Sequence, residues 1–297
     1  MKRLIPILLS LCLLAGCAVD FPGKTPAATE TPTQAPTAAP TDAPTEMPTE
    51  PPTEPPTEPP TEPPLPAGWF EENGQRYYRM RNGSLATGAV VIDGVTRHFS
   101  STGAYVVVVN PWNAVPEDYT MDLQELPSSV STAGCYVDSS CYDAMLRMIN
   151  DCNAKSGATV CVVSAYRSVQ LQTENFNRKV NSYLSAGYDY DTAYAEASSI
   201  IAVPGTSEHH LGLAADIIDT RNWGLVEEQE NLSGQQWLME HCHEYGFILR
   251  YPKGSREVTG IIYEPWHYRY VGIELAQELH ELDITLESYM ANLTHGT

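Results

Sequence analysis

Apolar and polar positions follow three different patterns along this chain, and each predicts a different kind of structure. From Val106 onward the pattern is that of a globular domain of roughly 190 residues, long enough to bury a sizeable core. MDLQEL and CYDAMLRMINDCNAKSG predict a helix ending near Gly157, and SVQLQTENFNRKVNSYLSAG, YDTAYAEASSII, SGQQWLMEHCHEYGF and the closing IELAQELHELDITLESYMANL carry a helical period. TVCVVSAYR reads as a buried strand, LAADIID as a second, and VTGIIYEPWHYRYVG as a hairpin-like pair interrupted by Pro265. Helices and strands mix without a regular βαβ repeat, and no G-x-G-x-x-G or P-loop occurs. The expected class for residues 106–297 is therefore α+β, a small antiparallel sheet flanked by helices.

Residues 67–105 alternate differently. Asn-Gly and Asp-Gly turns separate short aromatic stretches, which is hairpin chemistry, and ENGQRYYRMRNGSLATG and IDGVTRHFSSTGAY are near-repeats. They resemble the aromatic cell-wall-binding repeats of surface proteins. Two readings stay open: a module for wall polymers, or a structural hairpin packed on the next domain.

Before that the pattern disappears. Residues 18–66 form a Thr/Pro/Glu-rich segment ending in repeated TEPP, and Lys24 to Pro66 holds fifteen of the 23 prolines. Such a segment cannot build a core and is expected to be a disordered stalk; at about 3.1 Å per residue it reaches roughly 130 Å. Residues 1–17, MKRLIPILLSLCLLAGC, have a basic start, a short apolar run and small residues before Cys17, as a secretory signal does. LAGC resembles a lipobox, which implies a lipidated Cys17 and anchorage at the outer face of a bacterial cell membrane, reaching into the wall.

Net charge is −20, of which Lys24 to Pro66 carries −6, so the folded part is acidic and nucleic acid is excluded as a partner. Five cysteines remain after the signal, Cys135, Cys141, Cys152, Cys161 and Cys242; outside the cytoplasm they allow one or two disulfides with one thiol left over.

The chemistry concentrates in PGTSEHHLGLAADI and EPWHYRYVG. Zinc enzymes offer imidazoles, sometimes with one carboxylate, and keep one position open. His209, Asp216 and His267 are the candidate ligands: Gly212 lets the backbone turn after the histidines, and strand alternation puts Asp216 on one face. Glu264, three residues before His267, is placed to act as general base. Arg167 follows an apolar strand, and a guanidinium can grip a terminal carboxylate through two parallel hydrogen bonds. His241 and His243, two apart on a helix, face away from each other and are read as structural.

These segments resemble the VanY-like D-alanyl-D-alanine carboxypeptidases, peptidase family M15. SEHHLGLAADI fits S-x-H-x-x-G-x-A-x-D and EPWHYRYVG fits E-x-x-H; NPWNAVPEDY, SAYRSVQLQ and YGFILRYPKG extend the likeness over about residues 108–280. The resemblance implies one Zn²⁺ held by His209, Asp216 and His267, with Glu264 as base and His210 a bystander. It also implies that Arg167 and Gln172 hold substrate near the scissile bond and that Ser207 and Trp266 line the cleft. The implied activity is removal of the C-terminal D-alanine from peptidoglycan stem peptides. The alternatives are an L,D-carboxypeptidase acting on tetrapeptide stems and a non-catalytic wall-binding lipoprotein.

Overall fold

The computed structural model describes residues 65–72 and 74–295; the signal, Cys17 and the stalk up to residue 64 lie outside them. Strands β1 (Gly68–Glu72) and β2 (Gln75–Arg79) pair antiparallel, and β3 (Gly88–Ile92), β4 (Val95–Phe99) and β5 (Tyr105–Val106) form a second antiparallel sheet. Between β3 and β4, Asp93 and Gly94 both take positive φ (52° and 81°), the backbone that a two-residue hairpin turn demands. Trp69, Tyr78, Phe99 and Tyr105 gather into one aromatic cluster, with ring centroids 5.2–5.8 Å apart.

Then β6 (Leu123–Glu125) pairs with β7 (Tyr136–Asp138), so MDLQEL is a strand and not part of a helix. Pro127 biases Leu126 toward extended backbone, and the Leu126 N–H continues the ladder to the Cys135 carbonyl at 2.8 Å. Helix α1 (Ser139–Lys155) begins only at its cap, where the Asp138 carboxylate accepts the Ser140 N–H at 3.0 Å. After β8 (Val160–Ser164) come α2 (Val169–Ser185), α3 (Tyr190–Ser198), β9 (Ala214–Asp219), α4 (Ser233–His241), β10 (Phe247–Leu249), α5 (Arg256–Thr259) and β11 (His267–Tyr270). Helices α6 (Ile273–Leu282) and α7 (Leu286–His295) close the described chain.

Four of these strands make the central sheet, in the order β10-β11-β9-β8, every pair antiparallel. Met145, Met148, Ile149 and Cys152 of α1 pack on Val160, Val162, Ala215, Ile217 and Tyr268, forming the main core. Each fully buried side chain of Leu, Ile or Met size contributes about 1.5–3 kcal/mol. The mixed class with antiparallel sheets flanked by helices is as the patterning predicts.

Two further expectations are corrected. Residues 258–263 do not pair with β11, whose partners are β9 and β10, because Gly260 (φ 79°) and Pro265 take that stretch out of the ladder. The closing segment is helical as expected and divides into two helices: Asp283 turns left-handed (φ 50°) and the Thr285 hydroxyl accepts the Ser288 N–H at 3.2 Å to start α7. Finally, all five cysteines are free thiols, and four of them are buried. They behave as small apolar core residues, and burial pushes the Cys152 thiol up to about 11. Among the described residues no helix is long and apolar enough to cross a membrane.

Candidate active site

Strand register builds the site. β11 runs antiparallel to β9 with His267 directly opposite Asp216, and a bulge in β8 between Val162 and Ser164 brings Ser164 opposite Asp216 on its other side. Three side chains thus form one row across the sheet, with directly opposed Cβ atoms about 4.5–5.5 Å apart. His209 joins from the short turn Glu208–Leu211, which Gly212 closes at φ 70°. A Cβ at Gly212 would lie 3.0 Å from the Leu123 side chain and 3.1 Å from the Asp138 nitrogen, so glycine is required by packing as well as by φ.

His209, Asp216 and His267 are all buried, and one ligand atom of each lies within 4.8 Å of the others. The His209 Nδ1–H donates to the Ala165 carbonyl at 2.6 Å, which leaves Nε2 as the free lone pair, 3.4 Å from Asp216 Oδ2. His267 turns the other way, with Nδ1 3.1 Å from Asp216 Oδ1 and Nε2 3.6 Å from Glu208 Oε2. Tetrahedral zinc with bonds of about 2.0–2.1 Å needs ligand atoms ~3.3 Å apart, and the separations from Asp216 to His209 (3.4 Å) and to His267 (3.1 Å) bracket that value. Two imidazoles and one carboxylate are a zinc donor set, so this one cluster can hold one Zn²⁺. Its electrostatics also ask for a cation. Burial alone would lower His267, but Asp216, through a hydrogen bond and its charge, and the neighbouring carboxylates of Glu208 and Glu264 raise it to about 9. Burial, aided by Arg167, takes His209 down to about 4 and keeps it neutral.

The cluster opens into a cavity of about 470 Å³, and Arg167, Gln172, Ser207, Glu264 and Trp266 all line it. Glu264 reaches it through a tight turn: Pro265 follows it, and the His267 N–H donates to the Glu264 carbonyl at 3.2 Å. That turn sets Glu264 Oε2 3.7 Å from His267 Nδ1. Burial, reinforced by Asp216, pushes the Glu264 carboxyl up to about 8. Arg167 spans the opposite side, its guanidinium donating to Ser164 Oγ and Gln172 Oε1 at 2.8 Å each and lying 3.5 Å from Asp216. Gln172 is wholly buried and gives its own amide N–H to the Ala202 carbonyl at 2.5 Å. Ser207 makes no capping bond with its hydroxyl.

His210 stays outside the cluster, with Nδ1 2.6 Å from the Arg167 carbonyl and Nε2 accepting the Gly205 N–H at 3.2 Å. His241 pairs with Glu244 at 2.8 Å, and His243 stacks on His280 with centroids 3.7 Å apart, far from any ligand role.

Two residues of the site escaped the sequence reading. Tyr251 lines the cavity with its ring centroid 4.8 Å from that of His267. Glu208 is fully buried behind His267; its Oε1 accepts Arg250 Nε and Arg269 Nη1 at 2.8 Å each, while its Oε2 makes no hydrogen bond and lies 3.6 Å from His267 Nε2, which makes none either. Burial alone would protonate Glu208, but Arg250 and Arg269 outweigh it and hold the carboxyl well below its usual range. The adjacency of Glu208 to His209 was the only signal available; its arginine partners come from β11 and the residue after β10. A carboxylate behind a ligating imidazole fixes its tautomer, so Glu208→Gln should weaken zinc binding about 10- to 100-fold in competition with a chelator. Unchanged zinc affinity would mean that the His267 ring is oriented by packing alone.

A family profile described as VanY: D-alanyl-D-alanine carboxypeptidase matches residues 134–273. A D-alanyl-D-alanine carboxypeptidase of Enterococcus faecalis (strain ATCC 700802 / V583) is 38% identical over 185 residues, 62% of this chain; the chain spans only 65% of that protein's length. The solved structure of VanYB in complex with D-alanine-D-alanine is 37% identical with a TM-score of 0.56, covering 62% of this chain and 96% of that one. The LdcB LD-carboxypeptidase structure is 29% identical with a TM-score of 0.54, covering 69% and 94%. With the ligand cluster, Glu264 and the cleft in one continuous match, the chain belongs to the VanY family of D-alanyl-D-alanine carboxypeptidases.

Proposed function

We propose that this chain is a zinc D,D-carboxypeptidase that removes the C-terminal D-alanine from peptidoglycan stem pentapeptides. The observation that carries this reading is a buried His/Asp/His cluster opening on a peptide-sized cavity with a carboxyl group, Glu264, beside it. Bound zinc would polarise the scissile carbonyl and make water more acidic. Glu264 takes the proton of the attacking water and returns it to the leaving amine; a base that titrates near neutrality suits both transfers. Arg167 grips the substrate's free carboxylate, and Gln172 and Ser164 hold its guanidinium flat for that grip. Ser207 offers a hydroxyl to the bound peptide, and Trp266 forms an apolar wall.

Matched penta- and tetrapeptide stems test the assignment. The D,D reading expects one alanine to be lost from the pentapeptide, with the tetrapeptide at least tenfold poorer in kcat/KM. The reverse preference would make the chain an L,D-carboxypeptidase, and turnover of neither would leave the non-catalytic wall-binding reading. Arg167→Lys tests the carboxylate grip: kcat/KM for free-acid peptides should fall about 10- to 100-fold, and amidating the C-terminus should harm wild type far more than the variant. Equal loss would take the carboxylate away from Arg167 and point to internal bonds of cross-linked stems.

The address follows from the same reading. We infer that residues 1–17 deliver the chain to the outer face of the membrane, that lipidated Cys17 anchors it, and that residues 18–66 extend it into the wall. Residues 67–105 then act as repeats that touch wall polymers. A groove of about 750 Å³ between their strands and the zinc domain, lined by Gln75, Arg76, Tyr105, Tyr119 and Tyr270, supports this.

A further inference from the structure

Beyond Gln172, the cavity follows helix α2, and Asn175, Arg178, Lys179 and Ser182 line it at helical spacing. Arg178 and Lys179 stand out in a chain whose net charge is −20. Among the described residues neither forms an ion pair; Lys179 Nζ instead sits 5.3 Å from the centroid of the Tyr183 ring, and Arg178 is exposed. The acids lining this cavity are Asp216 and Glu264, both at the metal end. The end along α2 is therefore cationic, and Ile200, Ile201, Leu225 and Ile261 give the cavity apolar walls.

We propose that Arg178 and Lys179 form a second anion site that reads a side carboxylate of the stem peptide upstream of the scissile bond. The inference rests on the carboxypeptidase reading of the same cleft. A helix rises 1.5 Å per residue, so these two residues stand about 9–10 Å further along than Gln172, which touches Arg167. An extended peptide covers that distance in about three residues. A terminal carboxylate lies too close to the scissile bond to reach them, whereas the second and third stem residues fall within range. Both can carry the same group: a γ-linked glutamate leaves its α-carboxyl free or amidated, and a diamino acid at the third position has an extra carboxyl when it is diaminopimelate and none when it is lysine.

Three pentapeptides separate the sources: isoglutamate with lysine, isoglutamine with lysine, and isoglutamine with diaminopimelate. Steady-state kinetics on the zinc-loaded wild type and Arg178→Ala/Lys179→Ala are paired with calorimetric binding to zinc-loaded Glu264→Gln protein. The wild type should favour one carboxylate-bearing peptide over the isoglutamine-lysine peptide about tenfold in kcat/KM. In the double variant that ratio should collapse to within about twofold. Preference for the first peptide assigns the site to the glutamate carboxyl, and preference for the third to diaminopimelate. Equal turnover of all three by wild type, or an unchanged ratio in the double variant, would overturn the proposal. Because both residues are solvent-accessible, loss of fold is not expected, and a circular dichroism spectrum checks it. A binding preference without cleavage would keep the anion site and overturn the carboxypeptidase reading; cleavage without preference would do the opposite.

Discussion

Glu264→Gln should lower kcat by about 10²–10⁴ while leaving zinc stoichiometry and fold as they are. Glutamine is nearly isosteric, and the turn that carries it depends on Pro265 and on backbone groups, not on the carboxylate. What is lost is a proton acceptor held 3.7 Å from His267 Nδ1. The loss should fall on kcat with KM little changed, because the group acts on water and not on the peptide. A variant that retains more than a tenth of wild-type kcat, with one zinc per chain by metal analysis, would remove Glu264 from the chemistry.

His209→Ala should cost the protein its zinc, whereas His210→Ala should retain it. If structural-type sites gain about 10–16 kcal/mol of zinc binding shared among their ligands, losing one imidazole weakens binding by roughly 10²–10³-fold. The neighbours separate because only the His209 ring faces Asp216; the His210 ring is committed to the Arg167 carbonyl and the Gly205 N–H. His210→Ala should still slow turnover modestly, since it loosens the backbone that carries Arg167. If the His210 variant were the one to lose metal, the ligand assignment would be shifted by one residue and the tautomer argument would fail with it.

The helices and buried strands of the zinc domain were legible because their apolar spacing reflects one buried face: α1 turns a helical stripe to the main core, α2 turns Phe176 and Val180 to α3, and β8 and β9 are short, fully or largely buried runs. The ligand set was legible too, because His209, Asp216 and His267 fall in two short segments of recognisable form. What could not be read were local decisions made against the pattern. Leu123–Glu125 is too short for its pattern to choose between helix and strand, and its pairing with β7 decided it. Asp283 breaks an otherwise continuous amphipathic period through a backbone angle that aspartate tolerates. Glu208 was hidden for a different reason. Its role depends on Arg250, just after β10, and Arg269 of β11 closing around it, and adjacency in sequence carries no trace of that. The cysteines misled because their number, in a sequence with a signal-like start, suggested cross-links, while their burial beside apolar neighbours makes them core residues.

The most direct test of the account is a zinc titration of the metal-stripped protein, followed by the mass of the products from a stem pentapeptide. Release of single alanine should rise linearly with added zinc and level off at one zinc per chain, with no dipeptide formed. Activity indifferent to zinc, or D-alanyl-D-alanine as the released product, would contradict it.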